Sequence, residues 1–214
     1  TMSNIIIGIV GKDKEIDQIT YQAITKNNMK YLHNKCSYIG LITYDNYEQA
    51  DINTLKLCNG IIFQGGNIIY PYHFQILEYA INNNIPVLGI CMGNQLIGLY
   101  SANQDEEDLE LIENHHSLKK QAHKVNFKEN SYLYNIFGPQ ISVNSRHNYK
   151  LKEVKDPFII TGASEDNVIE AIEYIDDNHF IIGVQWHPED LDNMSKLYDL
   201  FLKEVLLRKI KSQK

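Results

Sequence analysis

Short apolar runs alternate with helix-like segments through the first half of this 214-residue chain. The predicted strands are Ile5–Val10, Cys36–Thr43, Gly60–Gln64 and Ile85–Ile90. The predicted helices are 13–24, Tyr47–Leu57, His73–Asn82 and Met92–Tyr100. Asp13 would cap the first of them, which carries Ile16, Ile19, Tyr21 and Ile24 at helical spacing. This order predicts an α/β fold with a mainly parallel twisted sheet and helices on both faces. Right-handed crossovers would bring the ends of the strands after Gln64 and Ile90 to one edge, where sites form in such sheets.

The second half is richer in short strands, with a polar, acidic loop expected at Ser101–Leu111. The strands expected there are Ala122–Phe127, Gln140–Ser145, Phe158–Gly162, Val168–Ile175 and Phe180–Gln185. They predict a small antiparallel strand set, with a hairpin turn at Asp176–Asn178. A helix is expected over Asp192–Ile210. Because no linker or repeat interrupts the pattern, we expect one domain over residues 2–211.

Charge and cysteine content narrow the classes of function. The formal net charge of −7 argues against nucleic acid as a partner, and no apolar run approaches the ~20 residues of a membrane span. Residues 1–4 lead into a strand without the basic and apolar regions of a signal peptide. Three widely spaced cysteines without a C-x-x-C pair indicate a reducing compartment. We therefore expect a cytoplasmic location and no cofactor.

One thiol lies at a predicted strand-to-helix turn. Cys91 is flanked by Gly89 and Gly93, an arrangement similar to the G-x-S-x-G nucleophile elbow with cysteine in place of serine. A helix N-terminus favours the thiolate form of cysteine. Cytosolic cysteines are commonly small core residues, so the turn by itself leaves nucleophile and core residue about equally supported.

Two further segments end predicted strands at the same edge. His187 and Glu189 follow a late strand, and residues two apart on a strand point the same way, so the carboxylate could orient the imidazole towards the thiol. Gly65 and Gly66 follow an earlier strand, where glycine lets backbone N–H groups approach a developing oxyanion. The N–H groups of Gly66 or Asn67 and of Met92 would form that hole.

Other histidines have a weaker case. His147 follows a strand in Val143–His147, where a surface histidine would be unremarkable without the other motifs. His115, His116 and His123 resemble a loose metal cluster, but they lack the H-x-x-x-H spacing and an acid at a fixed offset. We therefore expect no metal.

Taken together, Gly89–Gln95 and Gln185–Glu189 resemble the class I glutamine amidotransferase superfamily. Val143–His147 and Val184–Glu189 are similar to its γ-glutamyl-γ-aminobutyrate hydrolase branch, peptidase family C26. The resemblance covers nearly the whole chain and implies a flavodoxin-like fold. It also implies Cys91 as nucleophile, His187 as base, Glu189 as orienter and backbone oxyanion donors at Gly66 and Met92. Substrate contacts are implied at the side chains of Asn67, Gln95 and His147.

The implied reaction is hydrolysis of a small-molecule γ-glutamyl amide through a cysteine thioester. Three departures from the family pattern fall on loops that face the substrate: a short segment after Asn67, Ser101–Gln104 in place of a Gly-Gly pair, and Asn148–Tyr149 in place of a pair richer in His and Gln. The resemblance therefore predicts the reaction of this chain, but it does not identify the amine part of the substrate.

Three functions compete. The first is a stand-alone γ-glutamyl amide hydrolase, favoured by the Asn-Ser-x-His segment. The second is a glutaminase subunit that passes ammonia to a partner synthetase, favoured by the short loop after Asn67. The third, a binding module without activity, is disfavoured by the intact set of Cys91, His187 and Glu189. A homodimer or a synthetase partner is compatible with the first two.

Overall fold

The computed structural model describes residues 4–45 and 49–214. Nine strands form one sheet in the order β4-β1-β5-β6-β13-β12-β11-β8-β9, and two small antiparallel pairs, β2–β3 and β7–β10, lie outside it. The strands are β1 Ile6–Val10, β2 Lys12–Ile16, β3 Ile19–Ala23, β4 Ser37–Leu41, β5 Gly60–Phe63, β6 Val87–Ile90, β7 Glu110–Leu111, β8 His123–Phe127, β9 Gln140–Val143, β10 Tyr149–Lys150, β11 Ile159–Ser164, β12 Ile169–Ile175 and β13 Phe180–Val184.

Five helices accompany the strands. They are α1 Ile52–Leu55, α2 Pro71–Asn82, α3 Met92–Ala102, α4 Tyr132–Phe137 and α5 Ser195–Ser212. Short 3-10 helices span Lys26–Met29, Glu106–Asp108 and Pro188–Asp190. Within residues 4–45 and 49–214, no helix is both long and apolar enough to cross a lipid bilayer.

The sheet confirms the predicted α/β class. Strands β4, β1, β5, β6 and β13 are parallel neighbours, while β12, β11, β8 and β9 continue the sheet in antiparallel pairs. The antiparallel set therefore extends the main sheet rather than standing apart from it. The turn at Asp176–Asn178 joins β12 to β13 as expected, with Ile175 opposite Phe180.

Helices cover both faces of the sheet because buried side chains of the parallel strands point alternately to one face and to the other. Ile62 of β5 and Leu88 of β6 pack in the core layer that contains α5 residues such as Phe201. Their neighbours along the strands, such as Ile61 and Val87, pack in the layer that contains residues of α2 and α3. Successive side chains of a strand point to opposite faces, so one sheet carries two apolar layers.

One predicted helix is wrong. The segment that follows Asp13 forms the antiparallel hairpin β2–β3, which we call the arm, with Ile16 directly opposite Ile19. Its two turn residues, Asp17 and Gln18, have φ of 50° and 66°. Positive φ at both central residues matches the right-handed twist of a hairpin. Since neither residue is Asn or Gly, the usual sequence signal for this turn is missing.

Other boundaries also moved, two of them at functionally placed segments. Helix α1 begins only at Ile52, where the side chain of Asp51 accepts a hydrogen bond from the N–H of Thr54; the first residues of the predicted helix Tyr47–Leu57 lie outside the described residues. The acidic segment expected as a loop at Ser101–Leu111 is partly helical. Helix α3 continues to Ala102, and a 3-10 helix follows at Glu106–Asp108.

Candidate active site

Cys91 lies at the junction between β6 and α3, at the carboxyl edge of the parallel strands. Its backbone has φ 52° and ψ −99°, and its N–H donates to the carbonyl of Val184 at 2.8 Å. Positive φ is costly for a residue with a side chain and persists only where the surroundings enforce it. The flanking glycines make that turn sterically feasible: a Cβ on Gly89 would lie 2.7 Å from the backbone of Gly93, and one on Gly93 would lie 2.8 Å from Phe63.

His187 and Glu189 follow β13, the parallel neighbour of β6. Glu189 accepts a hydrogen bond from Nδ1 of His187 at 3.0 Å, which leaves Nε2 for the thiol of Cys91. Burial alone would lower the pKa of His187, but its hydrogen bonds with Cys91 and Glu189 raise that pKa to about 10. The imidazole is therefore protonated beside the sulfur of Cys91 at neutral pH.

Gly65 leaves room for the imidazole. A Cβ at this position would lie 2.5 Å from Cε1 of His187, too close for any real contact. At Gly66 the corresponding Cβ would meet only Cε of Met92, at 3.5 Å. The first glycine of the pair therefore sets the position of His187, a role that the sequence argument did not assign to it.

Two amide side chains that sequence reasoning did not single out hold the site together. Gln185 donates to Sγ of Cys91 at 3.6 Å, and its own Oε1 accepts from Asn94 at 3.2 Å. Asn144 binds both backbone groups of His187: its Nδ2 donates to the carbonyl at 2.9 Å and its Oδ1 accepts from the N–H at 2.8 Å. Both lie inside motifs recognised in the sequence, Val143–His147 for Asn144 and Gln185–Glu189 for Gln185. Their position in these motifs is the sequence feature that could have identified them.

A cavity of about 1540 Å³ opens above Cys91. Every predicted oxyanion and substrate residue lines this cavity: Gly66, Met92, Asn67, Gln95 and His147. The structure thus brings all the sequence-predicted site residues to one edge of the sheet. The lining also includes the acidic side chains of Glu78, Asp105, Glu106 and Glu107, together with the cation Arg146.

Gln95 and His147 meet at one backbone carbonyl. Gln95 Nε2 donates to the carbonyl oxygen of Tyr149 at 3.1 Å, and Nδ1 of His147 donates to the same oxygen at 2.8 Å. This carbonyl fixes the orientation of both side chains at the cavity wall.

Behind His147 is a buried group of ionisable side chains, which we call the histidine cluster: His115, His123, His147 and Glu170. The sequence argument against a metal found no acid at a fixed offset from the histidines. Glu170 supplies an acid from β12, far along the chain. His116, by contrast, is exposed and takes no part.

Comparison with known proteins agrees with this geometry. The profile of the family described as Peptidase C26 matches residues 72–189, more than half of the chain and the part that carries Cys91, His187 and Glu189. The chain belongs to the Peptidase C26 family. It is thereby a member of the class I glutamine amidotransferase-like superfamily and a glutamine amidotransferase-like hydrolase.

Among curated relatives, CTP synthase of Sulfolobus acidocaldarius is 32% identical over an alignment of 173 positions that covers 66% of this chain and 32% of that protein. The chain therefore spans about a third of the length of that relative.

Two solved structures share the fold of this C26 member. The glutaminase domain of Trypanosoma brucei CTPS, with bound acivicin, superposes with a TM-score of 0.67 at 16% identity and covers 95% of this chain and 94% of that one. A glutamine amidotransferase from Thermotoga maritima gives a TM-score of 0.63 at 15% identity, covering 96% and 86%. At such low identity these likenesses establish the fold and leave the substrate open.

Proposed function

We propose that this C26 family member hydrolyses a γ-glutamyl amide through a γ-glutamyl thioester on Cys91. The observation that carries the proposal is the meeting of Cys91, which lines the cavity, with the hydrogen-bonded pair of His187 and Glu189.

In the first half of the reaction, Sγ of Cys91 attacks the γ-carbonyl carbon of the substrate. The carbonyl π electrons move to oxygen, and the N–H groups of Gly66 and Met92 would stabilise that charge. The C–N bond then breaks, and protonated His187 gives its proton to the leaving amine.

In the second half, a water molecule attacks the thioester carbon and His187 takes its proton. The C–S bond breaks, which releases glutamate and restores the thiolate–imidazolium pair. Glu189 keeps its hydrogen bond to Nδ1 in both halves, so it orients the ring and stabilises its charge without being consumed.

The cavity supports a substrate larger than its reacting amide. Its volume of about 1540 Å³ exceeds the ~300–1,000 Å³ typical of small-molecule sites. Gln95, Asn67 and His147 would contact the γ-glutamyl part near Cys91. The amine part would extend towards Glu106 and its acidic neighbours, which favours a substituent that carries positive charge.

A second candidate is a glutaminase that delivers ammonia to a synthetase. The arm beside the cavity favours this function, since Ile16, Ile19 and Tyr21 are each about half exposed and Lys12 at its base lies next to Gly66. Exposed apolar side chains grouped beside a site are typical of contacts with another protein. The likeness to part of a CTP synthase points the same way.

The discriminating experiment follows glutamate release by the purified chain from a panel of γ-glutamyl compounds. The panel includes glutamine, γ-glutamyl amides of neutral amines and γ-glutamyl amides of amines with a second, cationic nitrogen. Turnover of the substituted amides supports the hydrolase. A chain that is nearly silent on all of them but still forms a covalent adduct at Cys91 supports the glutaminase. If neither turnover nor adduct is seen, both candidates fail.

A further inference from the structure

The histidine cluster brings four side chains from four separate segments to one buried point. Measured to Oε1 of Glu170, the Nε2 atoms lie at 2.9 Å for His115, 3.3 Å for His123 and 3.8 Å for His147. Glu170 is fully buried, and the side chains of His115 and His147 are each only 3% exposed. The ligand atoms of His115, His123 and Glu170 all lie within 4.8 Å of one another, and His147 approaches Glu170 from outside that compact group. The side chain of His123 is 19% exposed.

The opposite ring nitrogens fix the tautomers. Nδ1 of His147 lies 2.8 Å from the carbonyl of Tyr149, and Nδ1 of His123 lies 3.2 Å from the carbonyl of Lys124. A carbonyl oxygen only accepts, so each Nδ1 must carry the proton. In the neutral rings, each Nε2 then presents a lone pair to the carboxylate of Glu170. Nδ1 of His115 binds a carboxylate instead, that of Asp166, at 2.8 Å.

This leaves electron-rich atoms without partners inside the protein. Nε2 of His123, Nε2 of His147 and Oε2 of Glu170 are buried and have no hydrogen-bond partner. Buried polar atoms are nearly always satisfied, and lone pairs that face a carboxylate repel one another. A cation at the centre would satisfy them.

We propose that the histidine cluster binds one divalent transition-metal ion, with zinc as the metal that its ligand set favours. Tetrahedral zinc with ligand distances near 2.0–2.1 Å has ligand–ligand separations of about 3.3–3.4 Å. The distances from Oε1 of Glu170 to Nε2 of His115 and of His123, 2.9 and 3.3 Å, are close to that value. Two imidazoles and one carboxylate suit zinc, and a small movement of His147, whose Nε2 lies 3.8 Å from Oε1 of Glu170, would supply a fourth protein ligand as in structural sites.

The surroundings are those of a metal centre. Zinc-bound histidines generally donate their other ring N–H to a carboxylate or a backbone carbonyl, which orients the ring. All three histidines do so here: His115 to Asp166, His123 to Lys124 and His147 to Tyr149. The sequence-based expectation of no metal rested on spacing within a short segment, whereas these ligands come from four segments.

The metal would brace the cavity wall. His147 shares the carbonyl of Tyr149 with Gln95, and the carbonyl of Glu170 accepts a hydrogen bond from the N–H of Gln185, the residue that donates to Cys91. The bound ion would thus hold the wall from behind without touching the substrate. This proposal concerns a site separate from Cys91 and does not depend on the reaction proposed above.

The competing state uses protons in place of the metal. With both ring nitrogens facing carboxylates, His115 could be a buried imidazolium. Burial lowers its pKa, but its hydrogen bonds with Glu170 and Asp166 outweigh burial and raise it. In that protonated state the cluster would have no affinity for a metal ion. Measuring metal binding therefore distinguishes the protonated cluster from the proposed metal site.

The test uses the full chain carrying Cys91→Ser, so that the thiol cannot bind metal. The protein is stripped with a chelator and titrated with Zn²⁺ alone, and bound metal is measured by elemental analysis and calorimetry. We expect one zinc ion per chain. In the same background, His123→Gln and Glu170→Gln should weaken binding at least tenfold, while the neighbouring exposed substitution His116→Gln should leave it unchanged.

Two further measurements keep the test decisive if a buried substitution prevents folding. Co²⁺ added to the stripped wild-type chain should give a tetrahedral visible spectrum without a sulfur charge-transfer band. Zn²⁺ should raise the Tm of the His116→Gln protein, as any ligand specific to the folded state does. No zinc binding by the Cys91→Ser protein would overturn the proposal. So would loss of the metal in Glu189→Gln, because His187, Glu189 and Asp190 form a second group that could hold an ion.

Discussion

The side-chain amide of Asn144 forms two hydrogen bonds with the backbone of His187, one to its carbonyl at 2.9 Å and one from its N–H at 2.8 Å. Asn144 is buried at the end of β9, whereas His187 follows β13. The antiparallel half of the sheet therefore positions His187, the residue that we propose acts with the thiol of Cys91 on the parallel half.

Asn144→Ala is expected to lower kcat about 10- to 100-fold, because small displacements of a reacting group cost that much. KM should change little, since Asn144 does not line the cavity. Steady-state kinetics on the best substrate of the panel would show this split. Asn135→Ala, an exposed substitution on α4, is the control; an equal loss there, or a loss confined to KM, would contradict the positioning role.

Gly65→Ala is expected to cut activity severely while the fold survives. The new Cβ would lie 2.5 Å from Cε1 of His187, so the ring must move away from the thiol. Circular dichroism would report the fold, and the rate of Cys91 alkylation should fall because the imidazolium no longer favours the thiolate. Wild-type turnover in this variant would mean that His187 does not act from its observed position.

Glu189→Gln should lower kcat less than removal of the thiol does, since it leaves Cys91 and the imidazole in place. Cys91→Ala and His187→Ala should each cost about as much as the double substitution, because residues that act as a unit are not additive. Single-turnover rates for the four variants would test this pattern. Additive losses would place Cys91 and His187 in separate steps.

Activity should depend on pH through His187. Its pKa is raised to about 10, so the ring keeps its proton through neutral pH and loses it as the pH rises towards that value. The alkaline limb of kcat/KM should therefore lie far above 6.5. In Glu189→Gln one of the interactions that raise this pKa is gone, and the limb should move to lower pH. An unchanged limb would argue against the carboxylate as its cause.

The same pKa gives the sign of a stability effect. Because the folded-state pKa of His187 lies above its unfolded value of 6.5, the protonated ring stabilises the fold fully below pH 6.5. This contribution is lost as the pH rises through about 10. Urea midpoints of wild-type and His187→Gln proteins should therefore converge at alkaline pH.

Local patterns predicted the parallel half of the fold well. The strands before Gly65 and Cys91 are buried on both faces and read as continuous apolar runs, so their pairing and their shared edge followed from chain order. The arm was misread because Ile16 and Ile19 also fit a helical spacing, and its turn residues Asp17 and Gln18 carry no Asn-Gly signal.

What the sequence could not show depends on contacts between distant segments. Glu170 joins histidines that precede it by tens of residues, and no spacing rule links them. The fit of Gly65 against His187 likewise depends on how β5 and β13 flank β6, which becomes visible only when the strands are assembled.

The central claim is a γ-glutamyl thioester on Cys91, and intact-protein mass spectrometry of acid-quenched turnover mixtures tests it most directly. The account predicts a γ-glutamyl adduct that maps to the peptide containing Cys91. Both the adduct and glutamate release should be absent in Cys91→Ala. Glutamate release by the Cys91→Ala protein at the wild-type rate would contradict it.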